Sequence, residues 1–157
     1  RHDGQLYRVS PWVLVWENGN YYLIAYTEGR LKHYRVDKMQ SVHQLPGTVR
    51  EGAAEYADFD VNTYMQQMFG MFNGPCKHVT LLCENRFAGA MIDRFGTVPI
   101  LVPCPDGEHF KITVDIQVSP QFFGWVAGFG AGVSVSGPPE VRAEMKKTLD
   151  RIQEIYR

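Results

Sequence analysis

A basic and aromatic stretch near the start of the chain offers the clearest chemistry. Five basic side chains lie within residues 30–38: Arg30, Lys32, His33, Arg35 and Lys38. Four tyrosines lie in or beside the same stretch: Tyr21, Tyr22, Tyr26 and Tyr34. Basic groups that neutralise phosphates, together with rings on which bases stack, allow proteins to hold single-stranded nucleic acid. The alternative is a solvated sheet edge with ordinary core tyrosines, and composition alone favours this alternative.

Two predicted strands position these side chains. Residues 21–27 are rich in aromatic and β-branched side chains, residues 31–38 alternate in polarity, and a glycine-containing turn joins them. Because successive side chains of a strand point to opposite faces, His33, Arg35 and Asp37 are predicted to share one face. Arg35 is then available either to an anionic ligand or to a structural ion pair with Asp37. An exposed pair of this kind contributes only ~0–1 kcal/mol, which would not by itself explain the arrangement.

Two short motifs stand in this stretch: Tyr21-Tyr22-Leu23 and Tyr34-Arg35-Val36-Asp37-Lys38-Met39. They resemble the signature segments of a known family, the WYL domain. The family segments read Trp-Tyr-Leu and roughly Phe-Arg-Leu-Asp-Arg-Ile. Tyr21 replaces the Trp, Tyr34 the Phe and Lys38 the second Arg, so the aromatic and cationic character is kept. The family is found mainly in bacterial transcriptional regulators.

The resemblance implies an effector-sensing role. WYL domains are implicated as sensing modules, and some members bind single-stranded nucleic acid at a site that includes the motif arginine, which Arg35 matches best. The predicted ligand-binding residues are Ser10, Tyr21, Tyr22, Tyr26, Arg30, His33, Arg35 and Lys38. The resemblance also implies a homodimer, and promoter DNA as a partner, bound through an N-terminal helix-turn-helix domain that lies outside this sequence.

Residues 1–45 predict a small barrel. Short strands separated by tight turns are expected at residues 6–9, 11–16, 21–27, 31–38 and 39–45. This spacing is typical of a small β-barrel, and the family resemblance makes it SH3-like or Sm-like. In residues 12–16 both alternating sets of side chains are apolar, which predicts a strand buried on both faces. Residues 46–77 are predicted to be a linker that contains one short helix at residues 61–69.

Residues 78–157 predict a second domain. Their patterns follow the order β-α-β-β-α-β and end in a helix, which is typical of the ferredoxin-like arrangement. The last helix is expected to bury one apolar face, made of Val141, Met145, Leu149, Ile152 and Ile155. Residues 118–130 read Val-Ser-Pro-Gln-Phe-Phe-Gly-Trp-Val-Ala-Gly-Phe-Gly and resemble the extension that often follows a WYL domain. The predicted fold class is therefore α+β, with an SH3/Sm-like barrel followed by a ferredoxin-like domain with a C-terminal helix.

Composition and spacing disfavour other kinds of site. The net charge is −1, which argues against a wholly basic surface, although residues 1–45 hold six basic and four acidic side chains. No second pair of ligands stands at zinc-finger spacing, so neither a metal nor a cofactor is predicted. Cys76, Cys83 and Cys104 form no CxxC pair, which favours a reducing, cytoplasmic compartment. No apolar run approaches the ~18 residues of a membrane span. No nucleophile is matched with a base, so the chain is not predicted to be an enzyme.

Two functions remain open at this level. The first is the effector-sensing and oligomerisation region of a bacterial transcriptional regulator, which binds a nucleic acid or another anionic ligand on the barrel. The second is a protein–protein interaction or dimerisation module without a small ligand, since both predicted folds also serve as docking units.

Overall fold

The computed structural model describes residues 6–72 and 74–157; the first five residues of the predicted first domain, and Asn73, lie outside this description. The chain divides into two units, Arg1–Asp60 and Val61–Arg157. The described residues form two antiparallel sheets and five α-helices, as expected for an α+β protein.

A three-stranded meander forms the first unit. Its strands are β1 (Ser10–Glu17), β2 (Asn20–Thr27) and β3 (Arg30–Arg35), in the order β1-β2-β3. Two-residue turns at Asn18-Gly19 and Glu28-Gly29 connect them, and all four turn residues have positive φ, from 48° to 78°. Positive φ at both central positions defines the type I′ turn, whose twist matches that of the flanking strands. The Asn-Gly and Glu-Gly dipeptides therefore specify both hairpins locally.

The meander has fewer strands than the sequence predicts. Residues 6–9 and 39–45, which the barrel requires as further strands, are not strands, so a closed SH3-like barrel is not confirmed. A 3-10 turn at Val36–Lys38 ends β3 instead. Val42 is 74% exposed and Leu45 is 54% exposed. These residues bury no apolar face, and a strand without one gains little from pairing.

The prediction that β1 is buried on both faces is wrong. Val15 is 8% exposed on one face, whereas Leu14 and Trp16 on the other face are 59% and 61% exposed. Trp16 instead packs edge-on against the ring of Tyr21, with ring centroids 4.7 Å apart. Residues 12–16 are apolar on both sides, but among them only Val15 is buried.

Residues 46–77 contain two short helices where the sequence predicts one. The helix α1 (Ala53–Ala57) belongs to the first unit, and α2 (Val61–Gln67) belongs to the second and covers most of the predicted helix. Gly52 precedes α1 in the left-handed conformation, with φ 82°. The chain then turns through residues 68–72, where Met68, Phe69 and Met71 are buried.

The second unit follows the predicted order of elements. They are β4 (Cys76–Glu84), α3 (Ala88–Phe95), β5 (Val102–Pro103), β6 (His109–Gln117), α4 (Pro120–Ala127), β7 (Val133–Gly137) and α5 (Pro139–Ile155). The sheet has the order β5-β6-β4-β7, and every pairing in it is antiparallel. Strand β5 is only two residues long, because residues 98–101 of its predicted span stay outside the sheet. Pro120 at the start of α4 follows the N-cap Ser119, whose hydroxyl accepts a hydrogen bond from the backbone N–H of Phe122.

The core of the second unit lies on one face of this sheet. Alternate residues of β4 and β6 point into it: Val79, Leu81, Cys83, Phe110, Ile112, Val114 and Ile116. Met91 and Phe95 of α3, and Phe122, Phe123 and Val126 of α4, cover them. The last helix is less buried than predicted. Only Val141 is fully buried, Met145 packs partly against the core, and Leu149 and Ile152 are 44% and 45% exposed.

Candidate ligand-binding site

The cross-strand register brings most of the predicted ligand-binding residues to one face of the first sheet. Tyr22 of β2 lies opposite Arg35 of β3, and Tyr26 of β2 lies opposite Ser10 of β1. His33 lies between them, opposite Ile24, and is half-buried. Since directly opposed residues of antiparallel strands share a face, these side chains lie on one side of the sheet, around the buried Val15 and Ile24. We call the face that carries Ser10, Tyr22, Tyr26, His33 and Arg35 the arginine face.

Two of the predicted residues lie on the opposite face. Tyr21 is opposite Trp16, and Arg30 is opposite Thr27. Their positions differ by an odd number from Tyr22 and Arg35, so the pleat of the sheet directs them away from the arginine face. Both side chains are exposed there. The prediction grouped them with the others because they are close along the chain, although alternate residues of a strand point to opposite faces.

At one end of the arginine face, polar contacts fix the Arg35 guanidinium. Its Nε donates to Asp37 Oδ1 at 3.0 Å and its Nη2 donates to Asp37 Oδ2 at 2.9 Å. The same Nη2 donates to Asn20 Oδ1 at 2.7 Å. Arg35 and Asp37 therefore form the structural ion pair that their spacing allows. The Arg35 side chain is 40% exposed, so it lies neither in a packed interior nor wholly in bulk water.

The ion pair alters the electrostatics of this end without cancelling its charge. Hydrogen bonds from Arg35 lower the pKa of Asp37, and the carboxylate in turn raises the pKa of Arg35. Lys38 adds a second cation, with its Nζ 3.2 Å from Asp37 Oδ2. Two cations therefore share one carboxylate. Nη1 of Arg35 makes no hydrogen bond within the part of the chain that the structure describes.

At the other end of the arginine face, the hydroxyls of Ser10 and Tyr26 contact a segment from the predicted linker. Ser10 Oγ accepts a hydrogen bond from the backbone N–H of Glu51 at 2.9 Å. The Tyr26 hydroxyl donates to Glu55 Oε1 at 3.0 Å, and this bond raises the pKa of Tyr26. The Glu51 carboxylate also lies 3.8 Å from Arg8 Nη2. We call residues 50–57 the acidic strap.

An aromatic stack holds the acidic strap against β1. Trp12, at an irregularity in the pairing of β1, stacks on Tyr56 with ring centroids 4.5 Å apart, and the guanidinium of Arg50 lies 3.8 Å from the centroid of the Trp12 ring. Trp12 Nε1 donates to the carbonyl of Glu51 at 3.0 Å. A Cβ at Gly52 would lie 2.7 Å from Tyr26 Cβ, so only glycine permits this approach.

Sequence reasoning missed the acidic strap because no local pattern encodes its contacts. Residues 46–73 hold four acidic side chains and one basic, against the basic excess of residues 1–45. That charge complementarity was the signal in the sequence. The described residues contain no group of three or more acidic, histidine or cysteine side chains that could hold a metal ion.

Comparison with protein families agrees with both resemblances. The WYL domain matches residues 1–44 and the WCX domain matches residues 77–153, which together make up about three quarters of the 157 residues. The chain belongs to the WYL-domain family and continues into a WCX domain. The arginine face and Arg35 fall within the WYL match, and the acidic strap begins at residue 50, after that match ends at residue 44. The sheet of the second unit, apart from Cys76 at the start of β4, falls within the WCX match.

Comparisons with individual proteins add little to this assignment. No curated protein matches the WYL–WCX chain. Among solved structures, proteasome accessory factor B/C (PafBC) of Arthrobacter aurescens is 22% identical over 90% of this chain, with a TM-score of 0.42. The chain spans about a fifth of the length of that solved structure, 21%. None of the described helices is long and apolar enough to cross a membrane.

Proposed function

We propose that this chain is the effector-sensing region of a bacterial transcriptional regulator and binds single-stranded nucleic acid or another anionic ligand on the arginine face. Membership in the WYL-domain family supports the regulatory role. The proposal assigns no catalytic step to the chain. It places target recognition in a helix-turn-helix domain outside this sequence and dimerisation in the WYL–WCX region. The strand order β5-β6-β4-β7 supports a ferredoxin-like assignment for the WCX part.

The observation that carries the proposal is the held but accessible guanidinium of Arg35. Asp37 and Asn20 restrain its orientation, while 40% of its side chain remains exposed. A guanidinium held in place loses less conformational entropy when it binds a phosphate or carboxylate, and Nη1 of Arg35 still has its two N–H groups to donate. Tyr22 lies directly opposite Arg35 and offers an aromatic surface beside it.

A binding measurement with two matched arginine variants tests this proposal. A fluorescent oligothymidylate of about eight nucleotides is suitable, because such lengths lie within the usual site size of small single-strand-binding domains. Arg35→Ala is expected to lower the affinity at least ~10-fold, a loss of about 1.4 kcal/mol. Arg30→Ala removes the same charge from the same strand, but on the opposite face, and should leave the affinity within ~2-fold, because charges separated from the ligand by solvent are screened.

The readout is fluorescence anisotropy at physiological salt, followed by a series of anionic metabolites as competitors. Circular dichroism of both variants establishes that the sheet is still folded. Equal losses for Arg30→Ala and Arg35→Ala would mean general electrostatic attraction rather than a site on the arginine face. If neither the oligonucleotide nor any anionic metabolite binds the unmodified chain, the sensing role is wrong.

The second candidate, a protein–protein interaction module, is favoured by the opposite face of the same sheet. Leu14, Trp16 and Tyr21 lie together there and are each more than 50% exposed. Exposed clusters of large apolar side chains often mark contact surfaces between proteins. Size-exclusion chromatography with light scattering distinguishes the two functions. The interaction module predicts that Trp16→Ala changes the assembly state, whereas the sensing role predicts that it leaves oligonucleotide affinity unchanged.

A further inference from the structure

The acidic strap occupies one end of the arginine face with groups that resemble an anionic ligand. Glu55 accepts the hydrogen bond of the Tyr26 hydroxyl, and the carboxylate of Glu51 lies near Arg8. The backbone N–H of Glu51 donates to Ser10. Ser10 and Tyr26 are two of the residues that the proposed ligand would contact. Their hydroxyls therefore already have internal partners.

A second anion and the acidic strap would compete at this end of the face. The Tyr26 hydroxyl has one proton to donate, and Glu55 accepts it. A phosphate placed beside Glu51 and Glu55 would also meet two like charges, and like charges disfavour one another at short range. An anion that reaches Arg35 and extends along the face toward Tyr26 must therefore displace the strap carboxylates.

The contacts between the acidic strap and the sheet are specific but few, so the strap can detach without unfolding of the sheet. Its helix α1 has five residues, and none of them is buried. Its contacts to the sheet are the stack of Tyr56 on Trp12, the Arg50 guanidinium against the same Trp12 ring, and a few hydrogen bonds between exposed groups. Segments with few buried apolar contacts open at free energies well below that of global unfolding. Such a segment is suited to exchange with a ligand.

We propose that the acidic strap, residues 50–57, is an intramolecular competitor that blocks the Ser10 and Tyr26 end of the arginine face until a polyanion displaces it. This inference rests on the proposed function, because it presumes that the face binds an anion. Its consequence is selectivity. A small anion can bind near Arg35 without moving the strap, whereas an oligonucleotide long enough to reach Tyr26 must open it. The WYL domain would then respond to chain length as well as to charge.

Charge-neutralising variants of the strap test this mechanism. Glu55→Gln keeps the size of the side chain but removes the repulsive charge, and Glu51→Gln does the same beside Arg8. We expect each variant to bind the oligothymidylate more tightly, and the double variant to gain roughly 5- to 10-fold, at the lower end of the usual range of coupling between two sites. Glu28→Gln is the matched control, because Glu28 pairs with Lys32 on the opposite face of the same sheet.

Hydrogen exchange gives a readout that does not depend on the charge changes. Adding the oligothymidylate to the unmodified chain should speed exchange in residues 50–57, since displacement releases the N–H of Glu51 from Ser10. Inorganic phosphate, which is too small to span the face, should leave that exchange unchanged. Gly52→Ala provides a second route, because the added Cβ would push the strap from Tyr26 while both carboxylates remain. It should also bind the oligonucleotide more tightly.

The outcomes separate this inference from the function on which it rests. If the unmodified chain binds the oligonucleotide through Arg35 but the strap variants bind no more tightly than Glu28→Gln, the competitor mechanism is overturned and the sensing role stands. Slower exchange of residues 50–57 on binding would likewise overturn it, because the strap would then close over the ligand. If the unmodified chain binds no anion at all, both ideas fall together.

Discussion

Replacing Gly52 by alanine probes the contact on which the acidic strap depends. Gly52 has φ 82°, and a Cβ there would lie 2.7 Å from Tyr26 Cβ and closer still to the ring. Rotating the Tyr26 ring away cannot relieve the clash, because Cβ is fixed by the backbone of β2. The variant must either distort the sheet or release the strap. We expect release, since the strap has the weaker attachment.

The magnitude follows from the contacts that release would break. The hydrogen bonds of Glu51 to Ser10 and Trp12 contribute about 0.5–1.5 kcal/mol each. The stack of Trp12 on Tyr56 contributes a similar ~0.5–1.5 kcal/mol. With the hydrogen bonds of Glu55 to Tyr26 and of Arg50 to Pro11 added, the strap is held by at least about 2 kcal/mol, and a clash that exceeds the total detaches it. The amides of residues 50–57 should then exchange at least ~30-fold faster, because each 1.4 kcal/mol changes the opening equilibrium tenfold.

Gly47→Ala is the matched control for this measurement. Gly47 also has positive φ, 73°, but a Cβ there would meet nothing within 4 Å. Both variants therefore share the cost of an alanine in the left-handed region, about 1–2 kcal/mol, and the same reduction of unfolded-state entropy. The difference between them isolates the approach to Tyr26. Equal exchange rates of residues 50–57 in the two variants, measured by mass spectrometry, would refute the reasoning about the strap.

Three further predictions concern the second unit. Phe122→Ala should lower the free energy of unfolding of this unit by about 3–5 kcal/mol in urea, because the ring is fully buried. Ser119→Ala removes only the N-cap hydroxyl of α4 and should cost about 1 kcal/mol. Similar losses for the two variants would contradict the burial of Phe122. Burial raises the pKa of Cys83 to about 12, so iodoacetamide at pH 8 should modify the exposed Cys76 and leave Cys83 unmodified until denaturant is added, as peptide mass spectrometry can show. Hydrogen bonds from the backbone N–H groups of Glu108 and His109 lower the pKa of Asp106. The Asp106 carboxylate should therefore stabilise the fold above the ordinary carboxyl pKa of about 4, and this stabilisation should be lost as pH falls through the lowered pKa. Urea midpoints of the unmodified chain and Asp106→Asn should therefore differ at pH 7 and converge at acid pH, and a constant gap would disprove the linkage.

Parts of the site could be predicted because they depend on local geometry. The shared face of His33 and Arg35 follows from the two-residue period of a strand, and the same period made Asp37 a candidate partner for Arg35. The structure shows this ion pair and adds Asn20, which lies fifteen positions earlier in the chain. Asn20 becomes a partner only because the hairpin brings the start of β2 beside the end of β3.

The acidic strap could not be predicted from the sequence in the same way. Glu55 and Tyr26 are 29 positions apart, and no periodicity links a short exposed helix to a particular strand. The composition of residues 46–60, mixed and acidic, is typical of a linker. No sequence pattern distinguishes Gly52 from the other glycines of the chain. Its importance depends on the distance to Tyr26, which exists only in the folded unit.

The sequence by itself determined the two hairpins of the WYL domain, the order of elements in the second unit and the family of both, because turn dipeptides, alternation and short motifs act over a few residues. Tertiary structure alone decided how Asn20 helps to hold Arg35 and which acidic groups stand where a ligand would bind. These features depend on contacts between residues far apart in the chain. Such contacts form only when packing makes up for the entropy of closing the loops between them.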